Sequence, residues 1–85
     1  MTRELVESVV KKTIISTLSL TIDSNQIHSQ TDIIDDLGLN SVSYIQLIVS
    51  LEELLDINID TASLDISYFK SFSVLMDMLM EKIAK

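Results

Sequence analysis

Cysteine, proline and tryptophan are absent from this 85-residue chain, and glycine occurs once, at Gly38. Without cysteine there is no disulfide framework and no thiolate metal site, which agrees with a reducing compartment. Without proline, and with a single glycine, the chain has almost none of the turn chemistry that β-hairpins require, so the expected class is all-α. Long apolar runs are missing too: charges interrupt each one short of the roughly 18 residues that a membrane span needs. The first stretch, "MTRELVESVVKKTIISTL", places Glu4, Glu7, Lys11 and Lys12 where a signal peptide has an unbroken apolar core. The chain is therefore expected in the cytoplasm.

Basic residues are missing from the whole middle. All six Lys and Arg residues lie near the ends, at Arg3, Lys11, Lys12, Lys70, Lys82 and Lys85, and the net charge is −7. The nine acids between Thr13 and Phe69 make a surface that repels nucleic acid and anionic lipid, both of which are bound through Lys and Arg. Such a surface steers the chain toward basic patches on proteins, or simply keeps it in solution.

What is present is helical periodicity. The length suits one small domain, residues 1–85. Residues 3–18 carry Leu5, Val6, Val9, Val10, Ile14 and Leu18 as an apolar stripe, with Thr2 in the N-cap position. A long serine- and threonine-rich connection follows, with Ile22, Ile27, Ile33, Ile34 and Leu37 as its anchors to a core. Loops of that length in small domains are often functional or packed as compact units. A second helix is predicted over 41–56 and a short turn of helix near 61–66. A last helix from Phe72 to Ala84 follows Ser71 as N-cap. Its Phe72, Leu75, Leu79 and Ile83 share a face, flanked by Met76 and Met80. The expected fold is a small four-helix bundle with a long first loop and a short third helix.

The second helix has more apolar surface than one core requires. At 100° per residue, Ser43, Gln46, Ser50 and Glu53 fall on a polar face. Tyr44, Leu47, Ile48, Leu51 and Leu55 make the core face, and Val42, Ile45 and Val49 make a further stripe. The wheel leaves two readings of that stripe open: burial on a second side of the helix, or an exposed docking strip. Ahead of the helix stands "DDLGLNSVSYIQL", in which Gly38 permits a turn and Asn40 or Ser41 can cap. A hydroxyl at a helix start also faces the positive end of the dipole, where a phosphate ester is well placed.

Other chemistry finds little support. His28 precedes Ser41 by thirteen residues without a third orienting group or a GxSxG elbow, so it reads as a solvated loop histidine. Asp32, Asp35 and Asp36 lack the alternating acid loop of a calcium site, and no metal is expected.

The stretch "DDLGLNSVSYIQLIVSLEELLDINID" resembles the acyl carrier protein family, including the peptidyl carrier domains of nonribosomal peptide synthetases. Asp36, Leu37 and Gly38 match its pattern, Ser41 matches the modified serine, and "LEELLDINI" matches the end of the following helix. The order of helices and the long first loop extend the resemblance over nearly the whole chain. It implies a noncatalytic carrier with 4′-phosphopantetheine on Ser41, added from coenzyme A by a phosphopantetheinyl transferase. The arm's thiol would carry acyl or aminoacyl thioesters between enzymes. Docking is implied through Val42, Ile45 and Val49, with Asp36, Asn40 and Glu52 on the same surface.

Two departures stand out: Asn40 replaces the usual Asp, and Val42 the usual Leu. Acids on the second helix are confined to Glu52, Glu53 and Asp56, which favours a freestanding carrier of a nonribosomal peptide or polyketide pathway. Its partners would then be an adenylating ligase, a synthetase or an acyltransferase domain, and the chain would act as a monomer. The alternatives are a carrier for fatty-acid synthesis or D-alanine transfer, or an acidic helical adaptor in which Ser41 is only a cap.

Overall fold

In the computed structural model, which describes residues 2–62 and 64–84, the chain forms three α-helices and two short 3₁₀ turns, with no strand among the described residues. Helix α1 spans Arg3–Leu18, α2 spans Ser41–Leu55 and α3 spans Phe72–Ala84. The 3₁₀ turns are Ser24–Gln26 and Ile66–Phe69. Thr2 caps α1 as expected, its hydroxyl accepting from the Leu5 N–H. Helices α1 and α2 end on residues in the left-handed region, Ser19 at φ 53° and Asp56 at φ 54°. A chain with one glycine thus closes two helices on ordinary side chains, which strains the backbone there.

The four-helix expectation is corrected at its third member. Where a short turn of helix was expected near 61–66, the described residues make the 3₁₀ turn Ile66–Phe69, three to five residues further on. Ser63, inside the expected helix, lies outside the described residues. The cause is local competition for the backbone. Asp60 Oδ1 accepts from the Ala62 N–H and Asp65 Oδ1 from the Ser67 N–H, so short-range Asp bonds replace a helical ladder. The 3₁₀ turn still matters, because it delivers Phe69 fully buried into the core.

Val6, Val10 and Ile14 of α1, Leu47, Ile48, Leu51 and Leu55 of α2, and Phe72, Leu75, Met76 and Leu79 of α3 form the centre of that core. Three details differ from the helical wheels. Leu5 is exposed, whereas Met76 belongs to the centre of the α3 face and Met78 is buried with it. Surface contacts also join α1 to α3: Arg3 Nη1 meets Asp77 Oδ1 at 2.8 Å, and Lys11 lies over the Phe72 ring. The exposed ion pair adds little stability, on the order of 0–1 kcal/mol.

The long first loop is held by backbone bonds as well as by its apolar anchors. Ile27 and Ile33 are buried, and Ile22, Ile34 and Leu37 pack against the core at partial exposure. The Ile33 N–H donates to the Phe69 carbonyl, the Phe72 N–H to Thr31 and the Ser73 N–H to Ser29. Ser71, instead of capping α3 with its oxygen, donates its hydroxyl to the Ser29 carbonyl. These bonds tie the loop to the 3₁₀ turn and to the start of α3, and so fix the segment that leads into α2.

Candidate functional site

The approach to α2 begins with a tight turn. Asp32 Oδ1 accepts from the Ile34 and Asp35 N–H groups, and Asp36 Oδ2 accepts from the Asp32 N–H. Asp32 and Asp36 therefore organise the turn itself. Gly38 ends it at φ +80°, its N–H donating to Ile34, while the Leu39 N–H donates to Ile33. A Cβ at Gly38 would meet nothing within 4 Å, so the glycine answers to backbone conformation and leaves open space beside the helix start.

Asn40, not Ser41, is the N-cap. Its Oδ1 accepts from the N–H groups of Val42 and Ser43 at 3.0 Å each. Ser43 returns the bond, its Oγ accepting from the Asn40 N–H at 2.9 Å. This is a reciprocal capping box with serine in the third position. Ser43, assigned by the wheel to the polar face, is buried for that reason. Ser41 is the first helical residue and is exposed, and its hydroxyl takes no part in the cap. It opens onto a shallow groove bordered by Thr17 and Leu18 of α1 and by Gly38, Val42 and Gln46.

The apolar surplus of α2 is on the surface. Val42 is 67% exposed, Ile45 50% and Val49 46%, while Leu47, Ile48 and Leu51 are buried. Ile45 and Val49 border a second open groove with Ser16 and Thr17 of α1. Gln46 and Ser50 lie along the same groove. Tyr44, on the core side, packs edge-on to Phe69 with ring centroids 5.1 Å apart, which joins α2 to the 3₁₀ turn. Burial pushes the Tyr44 phenol above its ordinary value, and the charge of Asp65 adds to the rise.

The remaining candidate residues divide. Glu52 is half-buried, and its Oε2 accepts from the Ile59 N–H at 2.8 Å, holding Ile59 in the core. That carboxylate is committed to the fold, seven residues along the chain from its partner. His28 is exposed and lies in a small turn in which the Thr31 hydroxyl accepts from the His28 N–H. Three contributors were missed by sequence reasoning. Ser43 was signalled by the Asn-x-x-Ser spacing, but Thr17 and Leu18 enter only because α1 packs beside α2.

A small helical domain that offers one outward hydroxyl at a helix start, beside an exposed apolar strip, has the build of a presenting domain. Residues 8–79 match the family model described as "Phosphopantetheine attachment site". Over 55 residues the chain is 40% identical to an acyl carrier protein of Desulforapulum autotrophicum, a match covering 65% of this chain and 70% of that protein. The chain belongs to the phosphopantetheine-bearing carrier family, whose members are not themselves catalysts and whose prosthetic group is covalently attached. Such domains work with a phosphopantetheinyl transferase and with acyl-handling enzymes. The residues at the start of α2 fit that group: an exposed hydroxyl outside the cap, open space at Gly38, and a helix N-terminus suited to an anionic ester.

Proposed function

We propose that this chain carries its phosphopantetheine arm on Ser41 and shuttles thioester-bound acyl or aminoacyl groups between enzymes of a nonribosomal peptide or polyketide pathway. The observation that carries the reading is the division of labour at the start of α2. Asn40 and Ser43 make the cap, so Ser41 is exposed with its hydroxyl uncommitted. When bound, the group supplies a thiol to which cargo is esterified. The chain's own residues hold the hydroxyl outward, keep its approach open at Gly38, and offer Val42, Ile45 and Val49 as a docking strip. A strip of three aliphatic residues suits brief contacts, and the acidic surface speeds encounter without slowing release.

The peptide or polyketide setting is supported by the charge of α2. No acid occurs from Ser41 to Leu51, and Glu52 is tied to Ile59, so the half of the helix next to the arm is neutral. The relative described as an acyl carrier protein keeps acyl cargo, including that of fatty-acid synthesis, as the second reading. The adaptor reading gives way to the family match, and the cap it assigned to Ser41 belongs to Asn40. The chain is taken to work as a cytoplasmic monomer.

The test is intact mass after incubation with coenzyme A and a broad-specificity phosphopantetheinyl transferase, with Ser41→Ala alongside. A gain of one phosphopantetheine in the parent alone is expected. A gain in both chains moves the arm to another hydroxyl. No gain in either, with a transferase active on a control carrier, sinks the proposal. Loading by an aminoacyl-adenylating ligase then marks a peptide pathway, whereas loading by malonyl transfer points to polyketide or fatty-acid synthesis.

A further inference from the structure

We propose that Asn40 holds the arm as well as capping the helix: its Nδ2–H donates to the phosphodiester on Ser41 while its Oδ1 serves α2. The inference rests on Ser41 as the attachment point. The orientation of the Asn40 amide follows from its partners. The atom that receives the N–H groups of Val42 and Ser43 must be the oxygen, because a nitrogen there would set donor against donor. Ser43 Oγ lies 3.2 Å from the same Oδ1, and its bond from the Asn40 N–H closes the box. The side chain is thus held by its oxygen, which leaves Nδ2 as the branch not used by the cap.

Nδ2 has no acceptor among the described residues, and Asn40 is exposed and adjacent in sequence to Ser41. The Ser41 N–H is likewise without a protein acceptor among the described residues, since the cap takes the next two amides. Two neutral donors, one on Asn40 and one on the Ser41 backbone, are therefore available to an anion on Ser41, and bonds from such donors to an ionised oxygen are the strong kind. An aspartate here would cap as well, and better against the helix dipole, but it would set a second anionic oxygen in place of Nδ2. The amide gives up a little apo stability and gains a grip on the ester.

The experiment compares the parent, Asn40→Asp and Asn40→Ser, each as apo chain and as phosphopantetheinyl chain with modification verified by mass. Melting temperatures and side-chain amide spectra are read on all six. In the apo state Asn40→Asp should melt at or above the parent, and Asn40→Ser close to it. On modification the parent should gain more than either variant, by about 3 °C or more for a domain of this size. The Asn40 Nδ2 resonances should move on modification, while those of Asn25 and Asn58 stay in place. Equal gains in all three chains, or an unmoved Asn40 amide, overturn the inference even when the mass gain is normal. Absence of the mass gain overturns the Ser41 reading instead, so the two failures are distinct.

Discussion

Asn40 and Ser41 are adjacent polar residues, yet substitution should affect them in opposite ways. Asn40→Ala removes the cap and leaves the Val42 and Ser43 amides unpaired, at a cost of about 1 kcal/mol, while modification still proceeds. Ser41→Ala removes an exposed hydroxyl outside the cap, so stability should stay within about 0.5 kcal/mol while modification is abolished. Urea denaturation and intact mass, run on both variants, check the pair. Backbone conformation supplies a second contrast at this scale. Asp56 closes α2 at φ 54°, so Asp56→Gly should raise stability by about 0.5–1 kcal/mol through relief of left-handed strain. Gly38→Ala should lower it by roughly 1–2 kcal/mol although the new methyl has room, since the strain is in φ +80° alone. Denaturant midpoints of the two variants should move in opposite directions.

At the scale of the element, α2 presents one apolar face inward and a second outward, and the two should respond differently to change. Ile48→Ala empties part of a fully packed site and should cost about 2–5 kcal/mol. Ile45→Lys and Val49→Lys alter residues about half exposed, so stability should stay within about 0.5 kcal/mol. Both lysine variants should nevertheless be loaded poorly by the transferase and by downstream enzymes. Melting curves beside a loading assay separate the two faces, and normal loading of both lysine variants would remove the docking role of the strip. The 3₁₀ turn Ile66–Phe69 shows how little regular structure is needed when packing is good. Four residues deliver one buried ring, which meets Tyr44, while the Phe69 backbone carbonyl accepts from the Ile33 N–H of the loop.

For the whole molecule, charge decides how partners are met. With a net charge of −7 and every basic residue near the ends of the sequence, the chain should be drawn to basic enzyme surfaces over a distance set by salt. The rate of modification by the transferase at low substrate should therefore fall steeply between about 0.02 and 0.5 M ionic strength, as the screening length shortens from about 20 Å to a few Å. A rate indifferent to salt would mean that the apolar strip alone governs encounter. The loop from Leu20 to Leu39 also belongs to this scale. Its bonds to Phe69, Phe72 and Ser73 run across the molecule, so the setting of Gly38 and Ser41 depends on α3 and on the turn before it.

Much of this was legible in residues alone. The 3.6-residue spacing of Val6, Val10 and Ile14, and of Leu47, Leu51 and Leu55, specified two helices, because one face of each must leave water. Thr2 and the Gly38–Ser41 segment marked two helix starts for the same local reason, the need to satisfy free N–H groups. Local pattern could not say which of Asn40 and Ser41 caps, because both side chains can, and the buried return bond from Ser43 decides it. Nor could a wheel tell a second buried face from an exposed strip, since Val42, Ile45 and Val49 have the same hydropathy in either setting. Only the arrangement of α1, α3 and the loop around α2, which covers Leu47 and Ile48 and leaves those three uncovered, made that distinction. The short turn of helix expected near 61–66 was displaced because Asp60 and Asp65 accept from the nearby Ala62 and Ser67 amides. The structural bond of Glu52 was not legible in sequence because its partner, the Ile59 amide, comes within reach only after the chain has turned past Asp56.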